Sequence, residues 1–306
     1  MHVTLRQLQV FRSIATLGQV QLAAKQLHLS QPATSMALSE LEKHLNCLLF
    51  DRSGNRLLIN VQGKKLLPLA CELLDRTNEI THLFSAKNSL SGKLTIGAST
   101  TIGNYLLPQQ LIRFKTNHPE VDVELDIHNT TTIIERIASM ELDIGYVEGP
   151  CQHPGIEAIP WREDQLTLFC SSEHPLANKP TVTLKDLEQA HWILREQGSG
   201  TRFIFDKHIG QHLRQPHIKM ELNQTEAIKH MVSAGAGISC LSELSIAKEL
   251  DQGEFVPLSF QSKTIKRQFW LLLNRKKYRG DLVNALLNAT QVKSLPLRSK
   301  LDKSSK

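Results

Sequence analysis

The sequence predicts an all-α N-terminal unit built on a helix-turn-helix, then one long connecting helix, then an α/β domain. Three patterns carry this. Residues 21–35 read as two helices joined by a tight turn. Apolar residues recur four and three apart across 61–89. From Lys93 onward, short apolar runs alternate with amphipathic stretches.

The first helix is set by Leu5, Leu8, Phe11 and Ile14, with Val10 beside them. Their three- and four-residue steps place them on one face. Gly18 ends the helix, because glycine takes the left-handed C-terminal conformation without steric cost. The second helix carries Leu22, Ala23 and Leu27, and the small Ala23 and Ala24 let another helix axis come close. Ser30 is placed to N-cap the third helix. Pro32 falls in its first turn, where a missing N–H costs nothing. Ala37, Leu38, Leu41 and Leu45 point inward, and Asn46 follows as a left-handed cap.

In such a motif the last helix enters the major groove, and its N-terminal residues face base edges. Here those are Ser30, Gln31, Pro32, Ala33, Thr34 and Ser35. Gln31 can pair with adenine, and the Ala33 and Thr34 methyls can touch thymine. Ser30 and Thr34 can equally hold phosphate, which positions a protein without reading sequence. A plain helical bundle with a polar face is the competing reading. Cap, first-turn proline and small-residue packing together favour the motif.

The string Leu5-Arg6-Gln7-Leu8-Gln9-Val10-Phe11, then Ala23-Ala24, Leu27, Ser30-Gln31-Pro32-Ala33, Ser35, Leu41-Glu42, Leu45, Leu49-Phe50-Asp51-Arg52 and Gly63 resembles the LysR-type transcriptional regulators. Val20, Gln21 and Asn46 depart from the family pattern, and Val20 weakens one expected cap of the second helix. The resemblance implies a winged helix-turn-helix on double-stranded promoter DNA. Gly54-Asn55 between two short apolar runs is a hairpin signal. The resemblance makes this hairpin the wing, with Arg52 and Arg56 near phosphates. Either arginine could instead cap or pair on the protein surface.

Leu66, Ala70, Leu73, Thr77, Ile80 and Phe84 form an a/d seam over nearly three heptads. Pro68 predicts a bend or a late helix onset. A helix from 63 to 87 would span about 37 Å. Its seam could pack on its own domain. A partner copy suits it better, since a symmetric dimer reads two half-sites one DNA turn apart. The family resemblance implies a homodimer through this helix, commonly assembled to a homotetramer. Residues 85–92 read as a polar hinge.

Beyond the hinge, strands are expected at 94–98, 121–127 and 142–147, with helices at 108–115 and 132–140 between them. A second series follows, with strands at 166–170, 192–194, 218–222 and 238–241. Its helices are expected near 184–188, 203–213 and 227–234. A strand at 269–273 and a helix at 280–288 close the chain. This β-α-β order implies a mostly parallel sheet covered by helices. It resembles the family's effector domain, whose two α/β lobes are like those of periplasmic binding proteins. The lobes are expected to cross at 160–163 and 262–268. The expected organisation is therefore a DNA-binding domain over 1–60 and a linker helix with hinge over 61–90. An effector-binding domain follows over 91–292 (lobe I 91–161 and 267–292, lobe II 162–266). A basic, disordered tail occupies 293–306.

Ligands of such folds sit between lobes at the C-terminal ends of strands. Ser99, Thr100 and Thr101 follow one strand, and Asn129, Thr130 and Thr131 another. Ser199, Gly200 and Thr201 precede a helix, and Asn223 follows a strand. Helix N-termini with hydroxyls suit anions. Each cluster is also what an ordinary helix cap looks like. Glu148 would repel an anion unless protonated or bridged to a donor; it could also pair with a ligand amine or with Arg202. The phrase at 98–108 resembles the CysL/YeiE-like branch of the family. That branch implies sulfur assimilation and a small anionic effector such as sulfite, with an organic acid or amino acid as the alternative.

Composition bounds the remaining classes. The chain has 306 residues, 41% hydrophobic and 5% aromatic. So few aromatics argue against a base-stacking single-strand binder. No apolar run reaches membrane-span length, and the first thirty residues lack a signal-peptide core. A cytoplasmic protein with no membrane partner is expected. The net charge is +6, yet twelve Lys or Arg against two Asp fall between 263 and 306. The basic excess therefore lies at the C-terminus, where it reads as a solvated surface. The five cysteines are scattered and odd in number, so free thiols are expected rather than a redox pair. No metal site, cofactor or catalytic residue is expected. An enzyme would need a nucleophile and base, and no G-x-S-x-G elbow is present. A ligand-independent architectural DNA-binding protein would bind with little sequence preference.

Overall fold

The computed structural model describes residues 3–54, 56–83, 90–261 and 264–290. Helix α1 (Leu5–Leu17) starts with a capping box: the Gln7 amide donates to Thr4 Oγ1, and the Thr4 amide to Gln7 Oε1. Gly18 closes it at φ 68°. Helix α2 (Val20–Gln26) has Gln19 as its N-cap residue, with no side-chain cap hydrogen bond. Helix α3 (Gln31–Leu45) is capped by Ser30, whose hydroxyl accepts from the Ala33 amide, and Asn46 ends it at φ 52°. Val10, Phe11, Ile14, Ala23, Leu41 and Leu49 are buried together at the centre of the three helices. Each large side chain so buried contributes roughly 1.5–3 kcal/mol. Leu5 and Leu22 are exposed, unlike the other apolar residues expected inside. Strands β1 (Phe50–Ser53) and β2 (Arg56–Ile59) pair antiparallel from Phe50↔Ile59 to Ser53↔Arg56. This is the expected hairpin; Asn55 of its turn lies outside the described residues.

Helix α4 (Val61–Leu83) runs through Pro68. Its buried side is Leu67, Ala70, Cys71 and Leu74, packed on the core of α1–α3. The expected seam is therefore split. Ala70 faces its own domain, while Leu69, Leu73 and Ile80 are 58%, 50% and 59% exposed and leave a free apolar stripe. The two registers interleave one residue apart, and the three-helix core takes the first. Phe84 and most of the expected hinge lie outside the described residues.

The α/β half begins with β3 (Gly92–Ser99), α5 (Thr100–Tyr105), α6 (Leu107–Asn117), β4 (Val121–His128), α7 (Thr130–Ala138) and β5 (Ile144–Glu148). Then come β6 (Ile156–Ser171), α8 (Leu184–Gln189), β7 (His191–Arg195), α9 (Gly200–His208), β8 (His217–Leu222) and α10 (Thr225–Ser233). The chain continues through β9 (Ser239–Ser242), α11 (Glu243–Asp251), β10 (Phe255–Pro257), β11 (Ile265–Asn274) and α12 (Asp281–Ala289). One sheet runs β10-β6-β11-β5-β3-β4, with β9 also on β6. Parallel β7 and β8 join β9 through a bridge at Trp192↔Ile238.

The sheet is mixed rather than mostly parallel. β3 pairs parallel with β4 and β5, but β11 pairs antiparallel with both β5 and β6. Strand order in sequence does not show this, because β11 returns from far down the chain. The β6 and β11 ladder spans both halves. Its Leu166–Ile265 end packs with Trp192, Phe205 and Cys240. Its other end, with Phe269, Leu271 and Leu273, packs with Leu94, Ile96 and Tyr146. Helices α5 and α11, strand β10 and the first half of β6 were not expected. The helix expected at 203–213 starts earlier, at Gly200, and stops at His208. The residues from 291 onward, including the expected tail, lie outside the described residues.

Candidate functional sites

On α3, Gln31, Pro32 and Ser35 are exposed, as is Ser30, and Ala33 is half-buried. Met36, not among the expected residues, shares this face at 61% exposure. Thr34 departs from expectation. It is fully buried, and its hydroxyl donates to the Ser30 carbonyl at 3.0 Å. A side chain so buried is not presented to a base or phosphate. Arg52 and Arg56 are exposed on the hairpin, and among the described residues neither forms an ion pair. This surface has free donors on a rigid helix and two cations on an adjoining hairpin, which suits DNA.

The second site is built around Glu148, at the end of β5 and 1% exposed. Its Oε1 accepts from the Ser99 hydroxyl at 3.0 Å and the Thr101 amide at 2.9 Å. Its Oε2 accepts from the Thr201 hydroxyl at 2.9 Å and Arg267 Nη1 at 2.8 Å. Burial alone would raise its pKa. The charges of Arg267 and Arg195 and the hydrogen bonds from Thr101 and Thr201 outweigh burial and hold it at about 2. Glu148 is thus ionised, and its partner is Arg267. Arg202 instead pairs with Asp206 and Glu221 and donates to the Arg195 carbonyl.

Arg267 also donates to Asp164 at 2.6 Å, to Thr201 at 2.9 Å and to Thr101 at 3.3 Å. Asp164 Oδ1 accepts from the Ser242 hydroxyl at 2.9 Å. The Thr130 hydroxyl donates to the Glu148 carbonyl, and Gly200 packs on that same carbonyl. A Cβ at Gly200 would stand 2.1 Å from the Glu148 oxygen, so only glycine fits there. Asn129 caps α7 at Thr132, and Thr131 donates to the Gly198 carbonyl through both its amide and its hydroxyl. Arg195, 2% exposed, reaches across to Thr100 Oγ1 at 3.2 Å and pairs with Glu196. The Tyr105 hydroxyl donates to Glu226 at 2.6 Å.

The expected residues therefore fall into groups. Ser99, Thr101 and Thr201 are brought together, but Glu148 engages the Ser99 and Thr201 hydroxyls and the Thr101 amide, and the Thr101 hydroxyl accepts from Arg267. Thr130, Thr131 and Asn129 hold backbone. Asn223 is exposed beyond Leu222, and among the described residues no hydrogen bond ties it to the cluster. Thr100 is held by Arg195 rather than by Glu148, and the buried Ser199 Oγ has no hydrogen-bond partner among the described residues. Sequence reading missed Arg195, Asp164 and Arg267. Arg267 falls within the basic C-terminal run, although it sits on a strand between Ile265 and Phe269, facing inward as they do.

A separate cavity of about 790 Å³ lies among Thr167, Leu168, His208, His212, Ser259 and Phe260, and none of the cluster above lines it. His208 and His212 stand four apart, a spacing the sequence reading passed over, but both are exposed and α9 ends at His208. Among the described residues no three His, Cys, Asp or Glu gather as metal ligands. Cys71, Cys170 and Cys240 are buried, and burial pushes the Cys170 thiol up to about 11 and that of Cys240 up to about 12. Such thiols are poor nucleophiles at neutral pH. Among the described residues no helix is long and apolar enough to cross a membrane.

Comparison with known proteins accords with this two-part architecture. Residues 5–64 match the bacterial regulatory helix-turn-helix proteins of the lysR family, and residues 87–292 match the LysR substrate binding domain. The chain is 40% identical to the HTH-type transcriptional regulator YeiE of Escherichia coli strain K12, over 97% of this chain and 100% of that protein. This accords with the branch resemblance at 98–108. A full-length OxyR variant from Pseudomonas aeruginosa shares the fold at a TM-score of 0.73 and 23% identity, covering 95% of this chain and 96% of that one. The CcmR regulatory domain of Synechocystis PCC6803, solved in complex with 2-PG, has a TM-score of 0.60 and 28% identity. It covers 65% of this chain and 96% of its own. The family and these relatives are transcriptional regulators rather than enzymes. The chain belongs to the LysR family: it is a transcriptional regulator with an N-terminal helix-turn-helix and a C-terminal effector-binding domain.

Proposed function

We propose that this regulator senses a small oxyanion, with sulfite the first candidate, bound by Thr100, Ser199 and Arg195 between the lobes. Its DNA contacts come from Ser30, Gln31, Pro32, Ala33 and Ser35, with Arg52 and Arg56 on phosphates. It works in the cytoplasm as a homodimer through the α4 stripe, paired into a homotetramer.

The observation that carries the effector reading is Ser199. Its hydroxyl is buried and, among the described residues, unpartnered at the start of α9. An unsatisfied buried hydroxyl costs about 1–3 kcal/mol, which a ligand acceptor would recover. The Arg195 guanidinium, paired with Glu196, donates to the Thr100 hydroxyl at 3.2 Å, and these two supply a charge and a second short donor on the same side of the cleft-facing cluster. The lobes already touch through Thr201–Glu148, Thr131–Gly198 and Tyr105–Glu226. A compact anion fits this closed arrangement better than a bulky one. An organic ligand is the second reading, favoured by the 2-PG bound to the CcmR regulatory domain.

The test is thermal unfolding of the full chain against sulfite, sulfate, thiosulfate, phosphate and amino acids. A ligand at 100 times its Kd adds about 2.7 kcal/mol, a readily seen shift. A selective sulfite shift is expected. A shift with an organic acid alone would discard the oxyanion and keep the regulator.

A further inference from the structure

Among the described residues, contacts at two places join the DNA-reading half to the α/β half. Glu79 of α4 reaches the start of α12, where its Oε2 accepts from the Tyr278 hydroxyl at 3.0 Å and its Oε1 from the Asp281 amide at 3.3 Å. Gly280, the N-cap of α12, offers no side-chain acceptor. A carboxylate from another domain therefore satisfies an orphan N–H of that helix. Arg76 lies over the Tyr278 ring at 4.4 Å. Beside this, Met140 packs on the core of α1–α3, and Lys277 holds the Met140 and Leu142 carbonyls and the Asp143 carboxylate.

Both contacts stand at the far ends of strands that meet in the effector cleft. Asp143 directly precedes β5, which ends at Glu148. Lys277 and Tyr278 follow β11, which carries Arg267 near its start. The two strands pair from Phe269↔Glu148 to Leu272↔Gly145, and every residue of β5 is buried. A paired, close-packed unit of this kind shifts as a body.

We propose that Glu79 and Tyr278 form an interdomain latch, coupled through β5 and β11 to the Glu148–Arg267 pair. Rearrangement in the cleft then tightens or releases the linker helix. The proposal rests on the cleft being the effector site. Coupling between two sites is reciprocal, so loosening the latch must also loosen the cleft.

The test is residue-resolved hydrogen exchange on the full chain without any ligand, which separates it from the identity of the effector. Glu79→Ala removes the acceptor. Gly280→Ala keeps it but puts a Cβ 3.0 Å from Glu79 Oε1. In both variants the Asp281 amide is expected to exchange about fivefold faster, as for one lost hydrogen bond. The Thr101 amide, held by Glu148, is expected to speed up with it. Faster exchange at Asp281 alone would reduce the contact to a local helix cap and overturn the coupling. No change at either amide would overturn the latch itself.

Discussion

Glu148 and Arg267 stand 2.8 Å apart with side chains no more than 1% exposed. Glu148 gathers donors from both lobes, Ser99 and Thr101 on one side and Thr201 on the other. Arg267 supplies the charge that lets the carboxylate stay ionised there. Removing one member of a buried ion pair strands the other, which costs about 3–5 kcal/mol. Arg267→Ala leaves both Glu148 and Asp164 without their cation. A loss of that size in urea unfolding is expected.

The same pair sets a pH dependence. Glu148 is held at about 2, below the ordinary glutamate value of 4.5. The unfolded chain therefore binds this proton more readily than the folded one. Its contribution to stability is full above about 4.5 and is lost as pH falls toward about 2. Urea midpoints measured across this range should fall for the wild type. In Glu148→Gln the fall should be shallower.

On the recognition helix, neighbouring residues should separate cleanly. Gln31→Ala should lower operator discrimination by about 1–3 kcal/mol and leave thermal stability unchanged. Thr34→Val should do the reverse. It removes a buried hydrogen bond, worth about 1 kcal/mol of stability, and leaves base preference alone. Competition binding on matched and mismatched DNA, beside a thermal melt, checks both.

Thr34, Leu38, Leu41 and Leu45 repeat at four, three and four, so the helical period itself turns Thr34 inward. Its polar side chain and its place in the first turn point to the DNA face instead, and the period wins. Caps were legible because they are local: Ser30, Gly18 and Asn46 each act within a few residues. The α4 seam was half legible, since two apolar registers overlap there and only the tertiary core decides between them. Arg267 and Arg195 were not legible as site residues. Their roles depend on strands 119 and 47 residues from Glu148 meeting it in space, which no local pattern records.

For the hairpin, Arg52→Ala and Arg56→Ala should each weaken binding about equally on all sequences. Each should lower the slope of log K against log salt by about 1. An unchanged slope would place that arginine off the phosphates.

Along α4, Leu73→Glu should disrupt self-association at unchanged monomer fold, because Leu73 is half exposed on the free stripe. Ala70→Leu should instead overpack the domain's own core, costing about 1–3 kcal/mol without changing the oligomer. Analytical ultracentrifugation and circular dichroism separate the two.

The central claim is that Ser199 completes an anion site with Thr100 and Arg195. Calorimetric titration of sulfite into the full chain and into Ser199→Ala tests it most directly. Sulfite should bind the wild type, and the variant should bind about tenfold or more weakly, the equivalent of about 1.4 kcal/mol for one lost charge-assisted hydrogen bond. Equal sulfite affinity in both proteins, or no binding to the wild type, would contradict the account.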